Sequence, residues 1–192
     1  MHIGTDEVPQ HIALGEGESL NLILYALPGD SADIGMRIDL CGEGACADIA
    51  GLYICPGDEK LNIKVDLRHL VPGCTSRQLF KGTVGGNARF CFDGRILVEK
   101  GSGRTKAYQE NHNLLLGEGA RAETRPQLEI YADDVECSHG ATIGRLDEAQ
   151  LFYMRSRGIP EAEARRFQIL SFLSPVLSRL PEELAEKIAD TI

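Results

Sequence analysis

From Ile12 to Gly144 the chain alternates apolar and polar residues in short runs, and turns rich in glycine or proline cut those runs at even intervals. In Leu61-Asn62-Ile63-Lys64-Val65-Asp66-Leu67 each odd position is apolar and each even one polar, the period of a strand with one buried face. Runs of this kind predict strands over residues 19–27, 35–40, 45–55, 61–67, 78–84, 88–98, 105–116 and 127–131. Turn signals begin at Gly15, Pro28, Gly42, Pro56, Pro72, Gly85, Gly101 and Gly117, spaced 13 to 16 residues apart. The turn type repeats at every second position: two Gly-Glu-Gly triplets lie 27 apart and two Pro-Gly-Asp triplets 28 apart. Self-similarity at that length marks a solenoid or array.

Many short strands at even spacing fit an antiparallel sandwich or meander, or a parallel β-helix with two strands and two turns per coil. Repetition of every second turn favours the latter, a mostly β fold with a flattened parallel β-helix over residues 1–144. Gly94, inside Phe90-Cys91-Phe92-Asp93-Gly94, predicts a bulge or sharp bend. After Gly144 the apolar period lengthens to that of a helix. Residues 146–157 read as one helix, with Asp147 and Glu148 in its first turn, Arg155 and Arg157 in its last, and Gly158 as the stop. A second helix starts at Pro160 and meets Pro175, which is expected to end or kink it. A third starts at Pro181-Glu182-Glu183. Phe167, Leu170, Phe172, Leu173, Val176, Leu177 and Leu180 give this region, residues 145–192, more apolar surface than it can bury on itself. It must pack on the solenoid or bind another protein.

Candidate chemistry centres on residues 124–144. A strand over 127–131 is followed by the acidic turn Asp133-Asp134, then by a second strand with Val135, Cys137 and His139 at alternate positions. Residues i and i+2 of a strand share a face, so the thiol and the imidazole project side by side. Both suit iron, zinc or copper, yet together they make only half of a four-coordinate site. The other donors would come from the next coil or from another subunit. In the plainer alternative Cys137 faces the core and His139 bonds to a neighbouring strand, and an isolated Cys/His pair carries little specificity. His112, between Asn111 and Asn113, fits a stacked asparagine ladder, and His69, near Cys74, fits a turn contact. Asp133-Asp134 makes a poor polysaccharide hydrolase or lyase, because such chemistry needs two carboxyl groups facing across a cleft. No GxxxxGK[ST] or helix-opening GxGxxG occurs, so any nucleotide would be bound by another chain.

Composition narrows the classes. A formal charge of −9 argues against a nucleic-acid or anionic-membrane partner. Aromatics make up 6% with no Trp, so the core must stack aliphatic side chains. The six Cys show no CxxC pair, which argues against a structural zinc site. MHIGTDEVPQ has neither the charged start nor the apolar core of a signal peptide, and no run approaches a membrane span. The thiols are therefore expected to be reduced and the protein cytoplasmic.

Several longer motifs carry a resemblance. Cys74-Thr75-Ser76-Arg77-Gln78-Leu79-Phe80-Lys81-Gly82, then Phe92-Asp93-Gly94-Arg95-Ile96, are followed by TKAYQENHNLLL from 105, LEIYADDVECSHGAT from 128 and LDEAQLFYMRSRGIP from 146. In this order, over most of residues 66–166, they resemble the SufB/SufD family of iron–sulfur cluster assembly proteins. The resemblance implies a right-handed parallel β-helix followed by C-terminal helices, and a scaffold with no enzymatic activity of its own. It implies pairing through the β-helix with a SufB-like subunit or a second copy, and docking of a SufC-type ABC ATPase on the C-terminal helices. Asn111 stands where SufB-like members carry Cys, and Cys137-Ser138-His139-Gly140 resembles the SufD side of the family. That side implies a cluster-assembly role for His139, with Cys137 beside it. No cluster would be held stably by this chain alone; a transient iron–sulfur cluster would form at a subunit interface. The rival reading is an ATPase-binding adaptor without cluster chemistry. Family members usually carry a helical region before the β-helix, whereas here the turn rhythm begins by Gly15, which implies a shortened member and leaves open a homodimer in place of the SufB/SufD heterodimer.

Overall fold

The computed structural model describes residues Met1–Ile192. A short β1 (His2–Ile3) and a 3-10 turn (Thr5–Glu7) lead into β2 (His11–Leu14), β3 (Ser19–Ala26), β4 (Ala32–Leu40), β5 (Cys46–Cys55) and β6 (Lys60–His69). These continue into β7 (Thr75–Val84), β8 (Arg89–Val98), β9 (Lys106–Leu115), β10 (Arg121–Ile130) and β11 (Glu136–Gly144). The helices are α1 (Glu148–Ser156), α2 (Glu161–Leu177) and α3 (Glu182–Ala189). Odd-numbered strands form a six-stranded sheet and even-numbered ones a five-stranded sheet. Every pairing is parallel. Consecutive strands thus lie in opposite sheets, and the chain winds into a flattened parallel β-solenoid rather than a sandwich of hairpins.

Alternate side chains of each strand fill the lumen. Leu22 and Leu24 of β3, Ile49 and Tyr53 of β5, and Leu61, Ile63 and Val65 of β6 are buried there in one cluster. Two pairs of rings bridge the sheets: Tyr53 stacks on Phe90 with centroids 3.9 Å apart, and Phe80 tilts against Phe92 at 4.7 Å. These rings fit only because glycines lie beside them in the columns. A Cβ on Gly51 would lie 2.1 Å from the Phe80 ring, and one on Gly82 2.0 Å from that of Tyr53. Gly94 works in the same way and makes no bulge. β8 keeps unbroken register with β6 and β10 through it, and a Cβ there would meet Gln109 Nε2 at 2.5 Å.

The helical region packs back on the solenoid. Leu173, Val176 and Leu177 of α2 share a buried cluster with Ala50, Leu52 and Ile54 on the outer side of β5. Arg179 pairs with Asp48 at 2.7 Å, and the Lys81 ammonium lies 4.4 Å from the centre of the Phe172 ring. Burial there lowers the Lys81 pKa. Rather than ending at Pro175, α2 passes through it and ends two residues later. A proline has no N–H for the carbonyl one turn back; here that carbonyl, Ser171 O, accepts instead from the Ser174 hydroxyl at 2.9 Å. Asp147 caps α1 by accepting from the Ala149 and Gln150 amides. Gln168 of α2 holds the Asp147 backbone from both sides, at 2.9 and 3.0 Å.

Candidate functional site

β11 and β10 are the last strands of their sheets, so the final coil has no neighbour above it and the lumen opens there. β11 lies on β9 with Cys137 opposite Ala107, His139 opposite Gln109, Ala141 opposite Asn111 and Ile143 opposite Asn113. Ala107, Gln109, Asn111 and Asn113 are buried in the lumen. In stacked parallel strands a register partner faces the same way, so Cys137 and His139 both line the mouth. Cys137 is half-buried against Ile96, Val98 and Ala107, and burial pushes its thiol pKa up. His139 is exposed and its ring makes no hydrogen bond, unlike the strand-bonded histidine of the plainer alternative. No three His, Cys, Asp or Glu side chains converge as a metal site.

The lumen changes character on the way to the mouth. Its β3 and β5 positions are aliphatic or aromatic, but β7 contributes Ser76 and Gln78 and β9 contributes Gln109, Asn111 and Asn113, all buried. Gln109 Nε2 donates to Gln78 Oε1 at 3.1 Å. His69 is fully buried, with Nε2 2.9 Å from the Ser76 hydroxyl, and burial lowers its pKa to about 4. It is an interior residue rather than a turn contact. Asn111 and Asn113 form no ladder, since their register partners on β7 are Phe80 and Gly82; they bond instead to each other and to Tyr53. His112 lies on the outer side, with Nε2 2.9 Å from Glu110 and Nδ1 2.8 Å from Thr142. Asp133 and Asp134 are exposed in the turn between β10 and β11, Asp134 at φ 57°. Sequence reasoning overlooked Gln78 and Gln109. Counting back one coil from His139 reaches Gln109, and a second coil reaches Gln78.

The two exposed edges of this coil differ. Charges and proline protect an edge strand from pairing with another chain, and β10 carries Arg121, Glu123, Arg125, Pro126 and Glu129. Beyond Glu136, β11 has neither a charge nor a proline. Ile130, Tyr131 and Ile143, at 40%, 64% and 46% exposure, add apolar surface at the same end.

Known proteins resemble this chain in sequence. The family described as SUF system FeS cluster assembly, SufBD core domain, matches residues 6–172. The chain is 42% identical over 144 residues to the iron–sulfur cluster assembly protein SufD of Escherichia coli K12, covering 75% of this chain and 34% of that protein. It is 36% identical over 149 residues to SufD of Bacillus subtilis, covering 78% and 34% of the two chains. It is 32% identical over 191 residues to an iron–sulfur cluster assembly SufBD family protein of Mycobacterium tuberculosis H37Rv, covering 95% and 48%. The chain thus spans a third to a half of the length of these relatives.

Proposed function

The chain belongs to the SufB/SufD family of iron–sulfur cluster assembly proteins and is SufD-like, and from that premise we propose that it is a non-catalytic scaffold whose open solenoid end helps to assemble a cluster. The observation that carries this reading is the shared lumen-side placement of Cys137 and His139 on β11, an unguarded edge strand. Iron and sulfide are the cargo. Neutral imidazole and thiolate both ligate iron, and a thiol whose pKa burial has raised releases its proton most readily once iron is bound. The missing donors come from a second subunit, SufB-like or a copy of this chain, that adds a strand to the free edge of β11.

The same reading gives the helices to a SufC-type ABC ATPase. Phe152, Tyr153 and Phe167 stand exposed at 73%, 58% and 48%, and Phe167 also lines a cleft of about 440 Å³ between α1 and α2. Because α2 rests on β5 and β7, motion of a docked ATPase has a rigid path into the solenoid.

Anaerobic reconstitution with iron, sulfide and a SufB-like subunit tests the proposal. His139→Ala is expected to lose most of the cluster absorbance. Equal absorbance from both chains would leave an ATPase-binding adaptor in its place. Because the helices share a core with the sheet, docking is tested by substitution rather than deletion. Phe152→Ala with Tyr153→Ala should cut co-purification with the ATPase, and undiminished binding overturns the assignment.

A further inference from the structure

The polar side chains beneath the mouth form a column. Gln78, Gln109 and His139 occupy successive register positions on β7, β9 and β11. Gln78 and Gln109 are 2% and 1% exposed, and their amides are linked by the Gln109 Nε2 bond to Gln78 Oε1 at 3.1 Å. That bond commits the donor end of Gln109. Its acceptor, Oε1, is buried and has no partner. A buried carbonyl oxygen left unpaired costs about 1–3 kcal/mol, and the next group in its column is the His139 imidazole, whose ring has no hydrogen bond. Gly94 across the lumen is what leaves room for this glutamine, since a Cβ there would fall 2.5 Å from Gln109 Nε2.

We infer that Gln109 is a positioning residue for His139: its free Oε1 accepts one ring N–H and thereby turns the other ring nitrogen, with its lone pair, toward the open mouth. A histidine that ligates a metal through one nitrogen is oriented by the partner of the other, which fixes tautomer and ring plane. Gln78 in turn holds Gln109, so the orientation is referred to the solenoid core rather than to a mobile surface group. Cys137 is placed by its own packing against Ile96 and Val98 and does not depend on the amide column. The inference rests on the proposed role of His139, but the link between the two side chains stands or falls separately.

The test is a two-bond nitrogen–proton correlation spectrum of the metal-free, full-length chain with labelled histidine, at mildly alkaline pH, the His139 signals being assigned by their loss in His139→Gln. Unsubstituted protein should show one ring tautomer. Gln109→Met, similar in shape but without the acceptor, should show both, and Gln109→Glu, which keeps an acceptor, should restore one. Two tautomers already present in the unsubstituted chain overturn the inference whether or not any variant folds, as would occur if lumen water satisfies Gln109. An unchanged ratio in Gln109→Met overturns it too. With a SufB-like subunit present, Gln109→Met should also weaken iron binding about 10- to 100-fold. If the tautomer responds but neither Gln109→Met nor His139→Ala alters iron content, the cluster reading of His139 fails while the contact between the residues stands.

Discussion

The Tyr53 hydroxyl donates to Asn113 Oδ1 at 2.6 Å, across 60 residues of sequence. Asn111 Nδ2 donates to the same hydroxyl at 3.1 Å, and Asn113 Nδ2 donates to Asn111 Oδ1 at 2.8 Å, closing a ring of three side chains. All three are at most 1% exposed, and burial holds the tyrosine pKa well above its usual value, so the phenol stays protonated. The ring fastens β5 to β9 inside the lumen, one strand below the mouth. Tyr53→Phe removes one donor and one acceptor and strands their buried partners, so the expected loss is about 1–3 kcal/mol. Urea unfolding should show a lower midpoint at an unchanged slope. A midpoint equal to that of the unsubstituted chain would mean that the asparagines satisfy each other without the phenol.

Gly82 is a packing requirement of the same tyrosine. Its absent Cβ is what admits the Tyr53 ring, 2.0 Å from where that atom would lie. Gly82→Ala should therefore cost about 1–3 kcal/mol by overpacking. In a Tyr53→Leu background the added methyl has space, so its cost should largely vanish. Additive losses in the double variant would show that Gly82 is needed for some other reason, since residues in contact are expected to couple.

Two groups give stability a predictable dependence on pH. Burial lowers the His69 pKa to about 4 from 6.5. Below 6.5 the unfolded chain takes up a proton that the folded chain refuses until about pH 4, so stability falls as pH drops through that window. The full loss is on the order of 3 kcal/mol, and His69→Gln should flatten this part of the profile. Asp66 acts at lower pH. Partial burial raises its pKa, but hydrogen bonds from Arg95 and Arg68 outweigh burial and hold it below its ordinary value of 3.8. Its contribution is present above that value and disappears as pH falls through the folded pKa. A stability curve flat between pH 7 and 4 would contradict the His69 assignment.

The coils were legible because alternation and turn spacing are written locally, in the order of residues. Strand starts were less so. β10 begins at Arg121 rather than at 127, because its lumen positions Ala122, Thr124 and Pro126 carry little apolar signal and only register with β8 makes them strand. Gly94 looked like a bulge because its reason for being glycine, Gln109, lies on another strand. Pro175 looked like a helix end because a serine hydroxyl can replace a backbone donor without changing the apolar period. At the candidate site, period two alone put Cys137 beside His139. What lies beneath them required the register of a whole coil, and the sequence shows that only after the period is known.

Thiol reactivity offers a check on the mouth itself. The thiolate is the reactive form, and the cysteines differ in access to it. Cys41 is exposed and Cys55 is buried, its pKa pushed up to about 12 by burial and then by Glu59 and Asp30. Cys137 lies between them, half-buried with a raised pKa. Under limiting iodoacetamide, with sites read by mass spectrometry, Cys41 should react first, Cys137 more slowly, and Cys55 only on unfolding. Adding a SufB-like subunit, or raising the concentration if copies pair, should protect Cys137 and leave Cys41 unchanged, because Cys137 lies on the open edge strand β11 and Cys41 follows β4, far from it. Protection of Cys41 alone would move the assembly surface to the first coils and separate His139 from it.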